Sequence, residues 1–223
     1  MQLMFEGMPA PPMESAAMVI PSVFYNQTKM LGAIMHLYGP IEADLTYSEG
    51  VFWRDLPKPW VRSDLLPTGN VVADFTALPF QSRSLGSIMI DPPFLIHGSL
   101  KPDLASENYC VMQTRFSGYR TRHDLFTSYY MAIAEAYRVL KPGGYLHFKT
   151  QDTVTSSSQV MSHCHVWQAA TQIGFDVEDL FIMIATSKMV GGNHAVQQHA
   201  RKWNSFVWSF RKPNRHIGSR VHD

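Results

Sequence analysis

Ser87-Ile88-Met89-Ile90-Asp91-Pro92-Pro93-Phe94 is the stretch that decides how this chain is read. A short apolar run ends abruptly in an acid, two prolines and an aromatic ring. Its length and β-branched content predict a buried strand. Proline cannot donate to a sheet ladder, so the strand stops at Asp91. A carboxylate, the Pro92 carbonyl and the Phe94 ring are thereby left at a strand's carboxyl end, where ligands bind in open α/β sheets. Carboxylate and carbonyl are both acceptors. Together they can hold both hydrogens of an exocyclic NH2 and direct its lone pair toward an electrophile. Phe94 offers a flat face on which a base stacks.

Asp91-Pro92-Pro93-Phe94 resembles the motif of amino-group methyltransferases that use S-adenosylmethionine (SAM). The segments before it stand in a matching register. Asp44, in Ile41–Trp53, closes a short apolar run and is followed by Thr46, Tyr47 and Gly50; this is similar to the first strand and glycine loop of a SAM methyltransferase, with Ser48 where a glycine is common. Glycine there permits a close backbone approach, and the resemblance implies that Asp44, Thr46, Tyr47 and Gly50 bind SAM. Trp60–Leu65 reads as a second strand ending in Asp64, 20 residues beyond Asp44. An acid at about that distance accepts the ribose hydroxyls of a nucleotide cofactor. Val71–Phe80 reads as a third strand and loop, in which Asp74 and Phe75 match the family's adenine-binding pair. Asp44, Asp64, Asp74 and Asp91 thus each close a short apolar strand.

Before the first strand, Leu31, Ile34, Met35 and Tyr38 recur at helical spacing, and Gly39-Pro40 ends the helix. It resembles the segment that closes over SAM, and Lys29 at its start is a candidate cofactor contact. Leu95–Thr121 has little periodicity and reads as a functional loop, with Tyr109, Phe116 and Tyr119 as stacking candidates. Asp124–Leu140 reads as a helix. Arg138-Val139-Leu140-Lys141-Pro142-Gly143-Gly144 resembles the turn before strand five in many SAM methyltransferases, where glycines allow positive backbone angles. Tyr145–Lys149 is the expected strand five, Gln159–Ile173 a helix closed by Gly174, and Val177–Ala185 with Asn204–Phe210 an antiparallel pair.

At 223 residues the chain fits one domain. Its 45% hydrophobic content supports a core, and no apolar run approaches the roughly 20 residues that span a bilayer. The first residues lack the pattern of a signal peptide. Two cysteines, Cys110 and Cys164, point to a reducing cytosol, and a cytoplasmic enzyme is expected. From Lys188 onward seven Lys/Arg face one acid, against twelve and seventeen in the remainder. A basic end on an acidic body points to a polyanion; Arg201 and Lys202 are candidate phosphate contacts. His163, Cys164, His165, His194 and His199 have no recognised zinc spacing, and no metal is expected.

The resemblance covers about residues 24–212, between an arm (1–23) and a basic tail (213–223). It implies an α/β, Rossmann-like class I methyltransferase fold: a seven-stranded, mostly parallel sheet with a C-terminal antiparallel hairpin and helices on both faces. Its implied cofactor is SAM and its implied partner a nucleic acid. Asp91, Pro92, Pro93 and Phe94 form the catalytic turn. The first expected target is adenine N6 in DNA. Cytosine N4 in DNA, guanine N2 in tRNA, and a non-catalytic subunit that keeps the fold are the alternatives. No Pro-Cys motif is present, which argues against carbon-5 cytosine chemistry. Restriction-modification, phage self-protection and RNA maturation are all compatible roles.

Overall fold

Alternation along the central strands shows why the sheet is covered on both sides. In the strand Leu85–Ile90, Ile88 and Ile90 join one buried cluster and Met89 the other. Successive side chains of a strand point to opposite faces, so an all-apolar run demands cover above and below. The computed structural model describes residues 19–96, 118–155, 157–185, 199–200 and 202–214.

The strands in chain order are β1 (Val23–Phe24), β2 (Ala43–Asp44), β3 (Val61–Asp64), β4 (Val71–Val72), β5 (Leu85–Ile90), β6 (Leu140–Thr150), β7 (Thr153–Thr155), β8 (Ser158–Val160), β9 (Asp176–Ile184) and β10 (Asn204–Arg211). Among the described residues three α-helices join them: α1 (Gln27–Tyr38), α2 (Arg122–Val139) and α3 (Ser162–Ile173). The main sheet has the order β1-β9-β10-β6-β5-β2-β3-β4. β10 alone runs antiparallel, inserted between β9 and β6. The parallel neighbours are β6-β5-β2-β3-β4 and the β1-β9 pair.

The expected seven strands are therefore eight among the described residues. The two-residue β1 pairs with the outer edge of β9 through Val23↔Ile182 and Phe24↔Met183. A strand this short carries too little periodicity to be read from sequence. The helix expected from Gln159 begins only at Ser162, because Ser158–Val160 pairs with Thr153–Thr155 in a small hairpin. The turn after Asp44 leads into one 3-10 turn, Val51–Trp53, where the family pattern has a helix. The arm up to residue 18, the loop residues Tyr109 and Phe116, His194, Arg201 and the tail arginines lie outside the described residues.

α2 and α3 cover one face. Leu125, Tyr129, Ile133, Ala136 and Val166 pack with Ile88, Ile90, Leu146, Phe148 and Phe210. α1 and Trp53 cover the other, where Leu31, Ile34, Met89, Phe181 and Val207 meet. α2 begins with a full capping box between Thr121 and Asp124. α1 is capped by Asn26, which accepts the Lys29 N–H at 2.9 Å. Glu135 and Arg138 on α2 clamp the Leu78-Pro79-Phe80 loop. Glu135 accepts the Leu78 N–H at 2.7 Å, and Arg138 donates to the Leu78 and Phe80 carbonyls. The Arg138 guanidinium holds the Glu135 carboxyl below the usual range.

The strand expected from Tyr145 begins already at Leu140, so the segment read as a turn lies within β6, and its two glycines are there for different reasons. Gly143 has a φ of 79°, the left-handed region that favours glycine. Gly144 does not; a Cβ there would stand 2.7 Å from the Gly86 carbonyl oxygen and 3.0 Å from that of Lys141. Backbone cannot retreat cheaply, so Gly144→Ala is expected to cost about 1–3 kcal/mol, measurable as a lower urea midpoint.

Candidate functional site

Three acids and the Asp-Pro-Pro turn gather at the carboxyl ends of β2, β3, β4 and β5. Asp44 and Asp64 are the last residues of β2 and β3, Asp74 lies two residues beyond β4, and Asp91 directly follows β5. Ala43, Ile90 and Phe148 all point into the cluster beneath α2 and α3. The residues after them, Asp44, Asp91 and Lys149, consequently turn to the opposite face. The neighbouring positions of β2, β5 and β6 bring them together.

One chain of hydrogen bonds ties them. Asp44 is buried, and its Oδ1 accepts the Thr46 N–H at 2.9 Å and the Thr46 hydroxyl at 3.3 Å. Its Oδ2 accepts the Trp53 indole N–H at 2.7 Å. The Thr46 oxygen in turn accepts the Asp91 N–H at 2.7 Å. Asp91 Oδ2 accepts from the Lys149 ammonium at 2.8 Å, and that ammonium lies 4.7 Å from the centre of the Phe52 ring. Burial pushes the Asp44 carboxyl up to about 6; its hydrogen bonds to Trp53 and Thr46 pull the other way, and the Asp91 charge adds to the rise.

The remaining acceptors of the turn point elsewhere. Pro93's carbonyl takes the Tyr129 hydroxyl at 3.0 Å. Among the described residues, Asp91 Oδ1 and the Pro92 carbonyl have no hydrogen-bond donor. Pro92 is buried and Phe94 half-buried. Tyr119 N–H donates to the Leu95 carbonyl at 2.9 Å, and Ile96 bridges to Tyr119, so the chain leaves and re-enters beside this turn. The Tyr119 hydroxyl meets Ser128, and its ring packs edge-on against Tyr129. It is a packing residue here, no free stacking platform.

The other sequence-derived candidates fall into two groups. Asp64 accepts the Ser48 N–H at 2.8 Å through Oδ2 and the Leu66 N–H at 3.1 Å through Oδ1, so it ties the end of β3 to the loop after β2. Asp74 is exposed and closes an Asx turn on Thr76, with Phe75 against the core. Gly50 adopts φ 68°, and a Cβ there would meet the Tyr47 ring. Tyr47 is itself buried in the α1-side cluster. Lys29 stands apart: it is exposed on the first turn of α1 and its side chain reaches no partner among the described residues.

No protein-family model matches the chain, and no curated protein does. Solved structures do. A candidate methyltransferase of Haloferax volcanii, in complex with the Trm112 methyltransferase activator, superposes with a TM-score of 0.50 at 14% identity, over 85% of this chain and 90% of that one. The fold is that of the class I methyltransferases. A SAM-dependent methyltransferase of Methanosarcina mazei aligns at a TM-score of 0.46 and 12% identity, over 81% and 97% of the two chains. A candidate DNA modification methylase of Thermus thermophilus aligns at 0.43 and 17% identity over 67% of this chain. That protein is also solved with S-adenosyl-L-methionine. The present chain spans 56% of its length.

Reading the sequence alone placed the four acids at or just past strand ends but missed Lys149 and the Trp53 contact to Asp44. A lysine at the end of an apolar strand was the available signal for the first. Its partner becomes legible only once β5 and β6 are known to be neighbours in the register Ile90↔Phe148.

Proposed function

We propose that the chain is a SAM-dependent methyltransferase acting on an exocyclic amino nitrogen of a nucleic-acid base, with adenine N6 in DNA as the first target. The observation that carries this is the Asp91-Pro92 pair. Lys149 engages one carboxylate oxygen, while among the described residues Oδ1 and the adjacent Pro92 carbonyl receive no hydrogen bond. An NH2 group offers two donors, and two acceptors at one turn match it.

The residues present suit the cofactor. SAM supplies, when bound, a methyl group on a positively charged sulfur. Asp44, Thr46, Tyr47 and Gly50 would flank it at β2, Asp64 would face the ribose at β3, and Asp74 with Phe75 the adenine; Asp64 and Asp74 retain unused lone pairs for such donors. A buried carboxyl such as Asp44, hydrogen-bonded by neutral donors alone, is also suited to a cationic ligand. Asp91 and Pro92 orient the substrate amine, Phe94 stacks against the base, and the ionised Asp91 stabilises positive charge as it develops on the nitrogen. A base within a duplex would first have to be flipped out, at about a few kcal/mol.

Lys149 anchors Asp91 through Oδ2, the oxygen that this reading does not assign to substrate. Lys149→Met keeps an apolar stem over Phe52 and removes the charge. Turnover is expected to fall about ten- to a hundredfold as Asp91 loses its anchor, with SAM affinity unchanged by calorimetry. Unaltered turnover would show that the pair is an incidental surface contact.

The deciding experiment incubates the chain with SAM and, in parallel, unmodified DNA and tRNA, followed by nucleoside mass spectrometry. N6-methyladenine from DNA supports the reading. N4-methylcytosine keeps the mechanism and changes the base, and N2-methylguanine from tRNA alone moves the substrate to RNA. No methylated nucleoside from either, with SAM binding intact, would overturn it.

A further inference from the structure

At the start of α3, outside the hydrogen-bond chain of Asp91, three side chains form a relay. His163 Nδ1 lies 2.8 Å from both oxygens of Asp152, a buried carboxylate just beyond the end of β6. Its Nε2 lies 3.3 Å from Sγ of Cys164, which is exposed. The imidazole is held flat against Phe206 of β10, with ring centres 4.1 Å apart and planes 19° from parallel. The backbone is fixed too: Asp152 accepts the His163 N–H at 3.2 Å, and the His163 carbonyl accepts the Trp208 indole N–H at 2.9 Å.

The tautomer follows from this geometry. A carboxylate only accepts, so Nδ1 must carry the proton that it donates to Asp152. In the neutral ring Nε2 then presents its lone pair to the sulfur. A nucleophile within reach of a base, with the base oriented by a third group, is the arrangement that activates a weak nucleophile. The Asp91 site uses none of these residues.

We propose that Cys164, His163 and Asp152 form a nucleophilic thiol site whose substrate is a small disulfide. Thiol–disulfide exchange needs a sulfur nucleophile, an acceptor for its proton and open access to the sulfur, and Cys164 with His163 is placed to provide them. His163 Nε2 takes the Sγ proton. Sγ attacks one sulfur of the disulfide, forming a new S–S bond as the old one breaks. The departing thiolate leaves with the proton from His163. Cys164 ends as a mixed disulfide and the small molecule as one free thiol, so atoms and electrons balance. The modification would sit at the carboxyl end of the sheet, the same end as Asp91.

The test treats the full chain at pH 7 with glutathione disulfide and follows Cys164 by peptide mass spectrometry, which reads it separately from Cys110. The reference is a blocked synthetic peptide spanning residues 158–173, which has the same sequence and no fold. Cys164 in the folded chain is expected to form the mixed disulfide at least about tenfold faster than the peptide. His163→Gln and Asp152→Asn should each bring the rate down toward the peptide's while circular dichroism shows the fold kept. A smaller ratio in the native chain overturns the proposal whatever the variants do. A folded variant that keeps the full native rate overturns it as well.

Discussion

Asp91→Ala is expected to lower methyl transfer by at least about 10²–10³-fold while leaving SAM binding intact. The carboxylate is the only charged acceptor in the Asp-Pro-Pro turn, and its Oδ1, which receives no hydrogen bond among the described residues, is the atom proposed to take a substrate N–H. Removing it leaves the Pro92 carbonyl to hold one hydrogen, so the amine loses its orientation and the charge that forms on nitrogen loses its counterion. The Asp91 N–H bond to Thr46 is a backbone contact and survives the change; the loop after β2, and with it the proposed SAM contacts, should hold its shape. Single-turnover kinetics with calorimetry separates the two effects. Near-normal turnover would sink the proposed mechanism. Lost SAM binding would show instead that Asp91 holds the cofactor loop through more than its backbone. Asp91→Asn is the finer probe: it keeps the volume and one acceptor but removes the charge.

Trp53→Phe is expected to destabilise the chain by about 2–3 kcal/mol at pH 8 and by clearly less at pH 5. Trp53 is buried, and its indole N–H is the one donor to Asp44 Oδ2 among the described residues. Asp44 titrates near 6 in the fold, above its ordinary value of 3.8, because burial disfavours its charge. The folded chain therefore holds a proton that the unfolded chain has already released between about pH 4 and 6. By linkage, Asp44's contribution makes stability fall as pH rises through that window and level off above it. At pH 8 the carboxylate is ionised and needs the indole donor; at pH 5 it is largely neutral and needs it less. Removing the donor lets the carboxyl rise further, so the variant's decline with pH should run longer. Urea denaturation at the two pH values measures this. Equal losses at both would show that Asp44 does not change its charge state between these pH values in the folded chain.

Both expectations rest on contacts that differ in how far they could be read from the chain itself. The four strand-ending acids were legible because an apolar run followed by an acid is a local pattern. Burial on a strand and exposure at its end both leave their mark within a few residues. α1 and α2 were legible for the same reason, through helical spacing, glycine and proline, whereas Lys141–Gly144, read as a turn, extends β6 back to Leu140. The two-residue β1 and the β7–β8 hairpin were not, because strands of two or three residues carry no usable period and exist by pairing with partners.

The sequence by itself determined the α/β class, the succession of the main strands β2 to β6, β9 and β10, and the position of the Asp-Pro-Pro-Phe turn at a strand's carboxyl end. Only the tertiary structure decided which side chains meet there. Lys149 reaches Asp91 across 58 residues, Thr46 joins Asp44 to Asp91 across 45, and Asp152 meets His163 where a hairpin brings the chain back onto α3. The physical reason is one of range. Hydrophobic periodicity reports which face of an element is buried, and turn residues report where it ends, both within one element. Ion pairs and relays between elements depend on strand order and register, which are fixed by packing the two faces of the sheet as a whole.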